Sequence, residues 1–538
     1  MLLSLLLLTA ERLLKAETRP LYPGSLERFA GWRPVWAIAI LAACLSYAGT
    51  YLVYRHFALS FDEFMAEFDA TIIANGRLIA PVAAEWRDYV GALQPMLMLQ
   101  VPGGDFWASS YLPVNAGIRA LFMLLGDSAL AGPVLSAVAL LALYGVARRL
   151  WPERPDAALI STLLLACSSQ FLMTAMTPYA MAAHLALNLV WLWLFLRDTR
   201  TSHALAAGVA FAACGLHQVA FHPLFAAPFL LTVLRSRRWK LAAFYAAAYA
   251  AICLFWILYW TLLLKSTGAP SMQSAGAGMA NLLRHIDDMV EHNLLTTIPN
   301  VGLLVLRFVA WQSPLLIPLA LIGFIAFRRQ NTMVRDLALG FALTVGVLLI
   351  LVPFQGHGWG YRYLHGLLGS ASLLAAQGWI YLTERTGPTR RQTAALLTSL
   401  CVSLFVIFPW YAYQTRTFIS PYLSATEAIA HSSAQVVLID PVDVWYGIDL
   451  TRNDPFLRNS PKVMALGHLD EDKVGRLCRD YDVAIFDRRD ADLFGLRVDK
   501  TAITSPQAFR AYRQLRQILA SLNCGRPMTA APTESPRR

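Results

Sequence analysis

Charge is what this sequence has least of. Only 15% of its 538 residues are Asp, Glu, Lys or Arg, where an average soluble domain carries about 25%, and that deficit excludes a water-soluble enzyme. Cysteine is sparse as well. The seven cysteines show no CxxC spacing, so no metal-thiolate site is indicated. Internal repeats are lacking, which weighs against a transporter built from inverted halves. No basic stretch precedes the apolar opening MLLSLLLLT and no small-residue cleavage site follows it. That opening therefore reads as an amphipathic helix on the cytoplasmic membrane surface rather than a cleaved signal peptide.

Apolar sequence fills the space that charge leaves, at 57% of the chain. Windows of about 20 apolar residues fall near 34–55, 128–147, 157–175, 180–196, 204–217, 219–234, 241–264, 305–327, 337–353, 364–383 and 393–412, which makes eleven spans. Two of them flank GLHQVAFHP and are short, so a hairpin that stops within the outer leaflet is expected there. Leu112 to Leu125 reads as a juxtamembrane helix, because a full crossing would invert every later loop. The net charge of +11 is not one patch, which removes the case for a nucleic-acid partner. Twenty Lys and Arg lie in one alternating set of connections and six in the other. The positive-inside rule then puts the amino terminus in the cytoplasm, and an odd span count puts the carboxyl-terminal part outside.

After Tyr413 the pattern changes. QVVLID and YDVAIF read as buried strands of a parallel sheet between helical stretches at 424–431, 470–479 and 505–522. The expected fold class is a polytopic α-helical membrane protein of about eleven transmembrane helices with a small extracytoplasmic α/β domain at its carboxyl end. Its expected divisions are a cytoplasmic amphipathic segment (1–33), a transmembrane domain (34–414) with large external loops at 56–127 and 265–300, and the α/β domain (415–538). If that domain is external, Cys478 and Cys524 could pair. The preponderance of Arg over Lys fits a bacterial source, and with it the inner membrane.

Four stretches could carry chemistry. In SFDEFMAEFDATIIANGRL, Phe61, Phe64, Met65, Phe68 and Ile72 recur at helical spacing, so a helix lying flat on the external membrane surface is expected. A carboxylate at the boundary of oil and water can have a raised pKa, which suits a general base. Ser60 and Glu63 have the spacing of a capping box, so Asp62 is the better catalytic candidate of the two, with Glu63 beside it. In DFWASSYLPVNAGIRALFMLLGD, Tyr111, Pro113, Asn115, Gly117 and Arg119 lead into the short apolar helix. In GHGWGYRYLHG, an Arg beside apolar sequence is costly unless paired, so Arg362 should face a cavity and an anion, its planar fork matching phosphate. The glycines around it permit a close ligand approach, and Tyr361 and Tyr363 fit an interfacial aromatic belt. In RHIDDMVEHN, His285, Asp288 and His292 share one helical face that could hold a divalent metal or a sugar phosphate, or simply be solvated. His217, His222, His357 and His365 rank below these.

The order of a cytoplasmic start, one span, an external loop opening on Asp62-Glu63, and then Tyr-x-Pro-x-x-x-Gly before an Ala-Leu-Phe run ending in Gly-Asp resembles the C-type (GT-C) membrane glycosyltransferases. The resemblance extends loosely over about 34–415 and is sharpest at Asp62-Glu63 and at 111–127. It implies a polyprenyl-phosphate-linked sugar as donor, a lipid, glycan or protein as acceptor on the external face, and membrane lipids as surroundings. It further implies Asp62 as base in an inverting transfer. Arg362, in a Gly-x-Arg-Tyr like that of many bacterial members, would stabilise the leaving phosphate with Arg119 or His292. Tyr111, Tyr361 and Glu291 join it as substrate contacts, Glu291-His292 looking like a Glu-His of the lipid A aminoarabinose transferases. Two departures stand out: Ala108-Ser109-Ser110 where those transferases have a Lys, and Thr177-Pro178 where many members have Asp before Pro. No cofactor is certain; a divalent cation (Mg or Mn) is compatible with the pattern. The alternatives are a lipid-linked glycan ligase or polymerase, a polytopic transporter or flippase, and a binding subunit without catalysis.

Overall fold

The computed structural model describes residues 30–99, 101, 103–267, 294–351, 355–384, 387–496 and 506–528. The amino-terminal amphipathic segment up to residue 29 and most of the loop 265–300, with Glu291 and His292, lie outside the described residues.

Helix α1 (Trp32–Leu52) is the first of four described helices long and apolar enough to cross a bilayer, with Ser128–Leu150, Trp239–Ser266 and Arg390–Ala430. Only 17% of the apolar window of Trp239–Ser266 is buried in the protein. An apolar helix so exposed has to face an apolar solvent, and the chain is a helical membrane protein. Pro155–Ala166 and Ser169–Ala175 are together as long and apolar, but they are bent by 58° where the Ser168 hydroxyl accepts the Phe171 amide and starts the second half.

Elsewhere the expected spans come out shorter or divided. Met181–Phe195, Arg200–Cys214 and Phe221–Arg235 have 15 residues each, about 22 Å of helix against a hydrocarbon core of about 30 Å. The single span expected at 305–327 is two helices, Leu294–Ala310 and Leu316–Phe327, parted at Trp311 to Leu315. Hydropathy reports that a stretch is apolar, not that it is straight, so these lengths leave the number of crossings open.

Between the first two long helices lie α2 (Phe61–Ala74), a two-residue hairpin of β1 (Ala80–Pro81) and β2 (Phe106–Trp107), and α3 (Val114–Leu124). The apolar stripe of α2 does not rest on lipid. Phe61, Met65, Phe68 and Ile72 are all buried, and Met65, Phe68 and Ile72 share one core with Trp86, Trp107 and the carboxyl-terminal sheet residues Val436, Leu438, Met464 and Val483. An amphipathic pattern specifies an apolar neighbour, and here the neighbour is protein.

The carboxyl-terminal sheet is parallel, with strands β3 (Val436–Ile439), β4 (Lys462–Ala465), β5 (Val483–Phe486) and β6 (Arg526–Pro527) in the order β4-β3-β5-β6. All four residues of β3 are buried, as expected of a central strand covered on both faces. Cys478 and Cys524 are joined by a disulfide. No break separates this part from the membrane helices: Arg390–Ala430 is one helical run across residue 414, with a π-turn at Ser403–Ile407.

Candidate active site

Helix α2 begins where the sequence says it should. The Ser60 hydroxyl accepts the Glu63 amide, and the Glu63 carboxylate accepts the Ser60 amide at 2.9 Å. The capping box is therefore real, and it turns Glu63 away from the pocket into the protein, where its second oxygen, Oε1, is buried with no hydrogen-bond partner among the described residues. Burial pushes the Glu63 carboxyl up to about 7, against the lowering effect of its Ser60 bonds.

Asp62 points the other way. Its Oδ2 accepts from Arg362 Nη2 at 2.5 Å and its Oδ1 from the Tyr111 hydroxyl. Residues 300 positions apart thus meet in one pocket, lined also by Asp69, Asn115, Tyr179, Met181 and His217. The pKa of Asp62 departs from the expectation of a raised base. Burial acts to raise it, but the Arg362 charge and the Tyr111 hydrogen bond outweigh burial and hold it below the usual carboxylate range. The boundary of oil and water raises an isolated carboxylate; this one is paired.

Arg362 is held without being used up. Its backbone amide donates to Gln355 Oε1 at 2.8 Å, and its guanidinium lies 4.7 Å from the Tyr179 ring and 5.1 Å from the Tyr363 ring. Nε and Nη1 are buried with no hydrogen-bond partner among the described residues. Two unpartnered guanidinium donors carry a substantial desolvation cost, and a group arriving with acceptor oxygens would remove it. The neighbouring glycines serve the chain rather than a ligand: Gly360 has φ +64° and an added Cβ would come within 2.4 Å of Gln170 Oε1, while Gly358 has φ +144°.

Asp69 lies seven residues on from Asp62, about two turns along α2. It accepts the Ser109 amide at 3.1 Å and also the Ser109 hydroxyl. Burial nonetheless raises it to about 6. The space enclosed between these groups is about 20 Å³, room for a single water.

The remaining candidates divide. Arg119 is not in this pocket. It donates Nε to Glu67 at 2.8 Å, and both face a separate cavity of about 400 Å³ between α1, α3 and the Asp127–Ala129 turn. Tyr361 is fully buried and does not line this pocket; its carbonyl accepts from Gln170, and its hydroxyl has no hydrogen-bond partner among the described residues. His217, ranked low on sequence, packs against Tyr111 at 4.3 Å between ring centres, the rings tilted by 32°, and lines the pocket. Tyr179 had no motif to mark it, and Asp69 lies within the first of the four stretches without being singled out there. Among the described residues no three His, Cys, Asp or Glu side chains are grouped to hold a metal ion.

No protein-family model matches the chain, and no curated protein matches it. Among solved structures it is similar to ArnT from Cupriavidus metallidurans bound to undecaprenyl phosphate, at 12% identity and a TM-score of 0.48 over 85% of this chain and 87% of that one. The same enzyme in the apo state gives 11% identity and a TM-score of 0.48 over 86% and 88%. At that identity and score the likeness assigns neither a family nor an activity.

Proposed function

We propose that the chain is a membrane glycosyltransferase of the GT-C kind, moving a sugar from a polyprenyl-phosphate carrier to a hydroxyl acceptor on the external face of the bacterial inner membrane. In this reading the amino terminus is cytoplasmic, the chain crosses eleven times, and the α/β domain lies outside. The observation that carries it is the Asp62–Arg362 pair, in which the arginine keeps two buried donors without partners.

The chemistry follows from that pair. A donor phosphate takes Nε and Nη1 of Arg362 and competes with Asp62 for the guanidinium. Losing its cation while remaining buried, Asp62 becomes a stronger base. It accepts the proton of the acceptor hydroxyl as that oxygen attacks the anomeric carbon from the face opposite the phosphate. The carbon–oxygen bond to the phosphate breaks, the electron pair leaves with the polyprenyl phosphate, and Arg362 stabilises its charge. The product is inverted at the sugar carbon, and the proton passes from Asp62 to water. Tyr111 orients Asp62 through its hydroxyl.

The test is direct. Purified protein in lipid nanodiscs receives a panel of radiolabelled undecaprenyl-phosphate sugars, with lipid extracts as acceptor. Consumption of one donor by the unaltered chain and not by Asp62→Asn supports the reading. Equal consumption by both removes Asp62 from the chemistry.

A further inference from the structure

We infer that residues 445–453 of the carboxyl-terminal domain are the positioning element of the Asp62–Arg362 pair, with Asp449 and Arg452 as its positioning residues. This rests on the reading of that pair as catalytic.

Two halves have to be held, and one segment touches both. On the Asp62 side, Arg452 reaches back to the residues just before α2, donating to the Ala58 carbonyl and, at 2.7 Å, to the Leu59 carbonyl. Its Nε donates to the Asp449 carbonyl at 2.7 Å, so the guanidinium bridges the two chain segments. Phe57 and Phe64 sandwich it at 4.3 and 5.4 Å from their ring centres. The Asp449 carboxylate lies beside the amide of Phe61, the first residue of α2, whose nearness favours its ionised form, at a helix start where the first amides have no partner within the helix. The amino end of α2, immediately before Asp62, is thus tied to a segment nearly 400 residues away in sequence.

On the Arg362 side, His357 Nε2 lies 3.5 Å from the same Asp449 carboxylate. Its ring is 3.7 Å, centre to centre, from Tyr446, which holds a left-handed backbone at φ +52° to present itself. The His357 carbonyl accepts the Tyr179 hydroxyl at 3.3 Å, and Tyr179 is the ring under the Arg362 guanidinium. One carboxylate therefore touches the first turn of α2 and the loop that carries the arginine. Burial raises Asp449 to about 7 and lowers His357 to about 3, and Arg452 and Glu63 are the other ionisable groups facing them.

Hydrogen exchange tests this without a substrate. The variants are Arg452→Met, which removes all the donors, and Arg452→Lys, which keeps the charge but cannot span two carbonyls. Trp107→Phe serves as control: it deletes another bond to this domain, the 2.7 Å contact from Trp107 to the Pro455 carbonyl, away from the α2 amino end. The inference expects exchange to rise at least fivefold in peptides 58–66 and 355–363 for both Arg452 variants, with peptide 483–494 of the sheet unchanged. With the donor that the panel identifies, kcat should fall at least tenfold and KM stay within twofold, while Trp107→Phe alters neither.

Unchanged protection in 58–66 and 355–363 overturns the inference, and so does a rise that includes 483–494 in the Lys variant, since that marks a role in folding alone. If Asp62→Asn keeps full turnover while the two peptides loosen, the catalytic assignment fails and the anchoring stands. If Asp62→Asn is inactive and the peptides stay protected, the anchoring alone fails.

Discussion

Helix α2 carries two carboxylate–arginine pairs, Asp62 with Arg362 and Glu67 with Arg119, set about 140° apart around its axis by their five-residue spacing. Glu67 is engaged on both oxygens, by Arg119 and by the Ser128 hydroxyl at 2.9 Å, and among the described residues no Arg119 nitrogen is both buried and unpartnered. The first pair has the smaller space and leaves two buried arginine donors unused; the second borders the 400 Å³ cavity with both carboxylate oxygens engaged. Size of cavity and readiness for chemistry are therefore separate properties here. Unspent donors, not volume, distinguish the site.

That contrast can be broken by mutation, and the largest effect should come from the first pair. Asp62→Asn keeps the acceptor for Tyr111 but cannot take a proton, and sugar transfer should drop at least about 1,000-fold, the upper part of the range for a positioned general base, with membrane insertion unchanged by fractionation. Arg362→Lys replaces a fork by a point charge. Its affinity for undecaprenyl phosphate, followed by tryptophan fluorescence, should weaken about tenfold or more, which corresponds to about 1.4 kcal/mol.

The second pair should behave oppositely. Glu67→Gln leaves Arg119 buried without its counter-charge and should lower stability by about 3 kcal/mol, seen as a reduced unfolding temperature, while transfer per folded molecule changes less than threefold. A comparable loss of transfer would join the two pairs into one site.

The smallest effect concerns the neighbour that the cap turns inward. Glu63 is raised from its usual 4.5 to about 7, so its contribution to stability is complete below about pH 4.5 and is lost as pH rises through about 7. Glu63→Gln, a permanent stand-in for the protonated acid, should flatten that part of the unfolding-temperature profile and be the more stable protein at pH 8. A profile unaltered by the substitution would show that Glu63 does not titrate in this window.

The sequence made some of this readable for physical reasons. Charge beside apolar residues is expensive, so Asp62 and Arg362 stood out, and S-x-x-E announced the Glu63 cap. The strands Val436–Ile439 and Val483–Phe486 were readable as short apolar runs. What failed to show was whatever tertiary packing decides. Periodicity gave α2 an apolar face but could not say that Val436 and Met464 would cover it in place of lipid. Arg362 could be expected to seek an anion, but not that Asp62 itself would supply it and lower its own pKa. Asp69 shares the acidic stretch of Asp62 but only folding turns it toward the same pocket, Tyr179 lies in ordinary surroundings, and Asp449 and Arg452 sit in an unremarkable loop.

The final helix has a mechanical meaning. From Arg390 to Ala430 it runs 41 residues, about 60 Å of rod, with its lower part among the membrane helices and its upper end leading straight into β3. The Tyr422 hydroxyl on that rod donates to the Trp445 carbonyl at 2.6 Å, at the start of the segment that touches α2. One end of the rod is thereby fastened to the segment beside the pocket, and the expected consequence is a turnover that varies with acyl-chain length in the surrounding lipid, measured in nanodiscs of graded thickness.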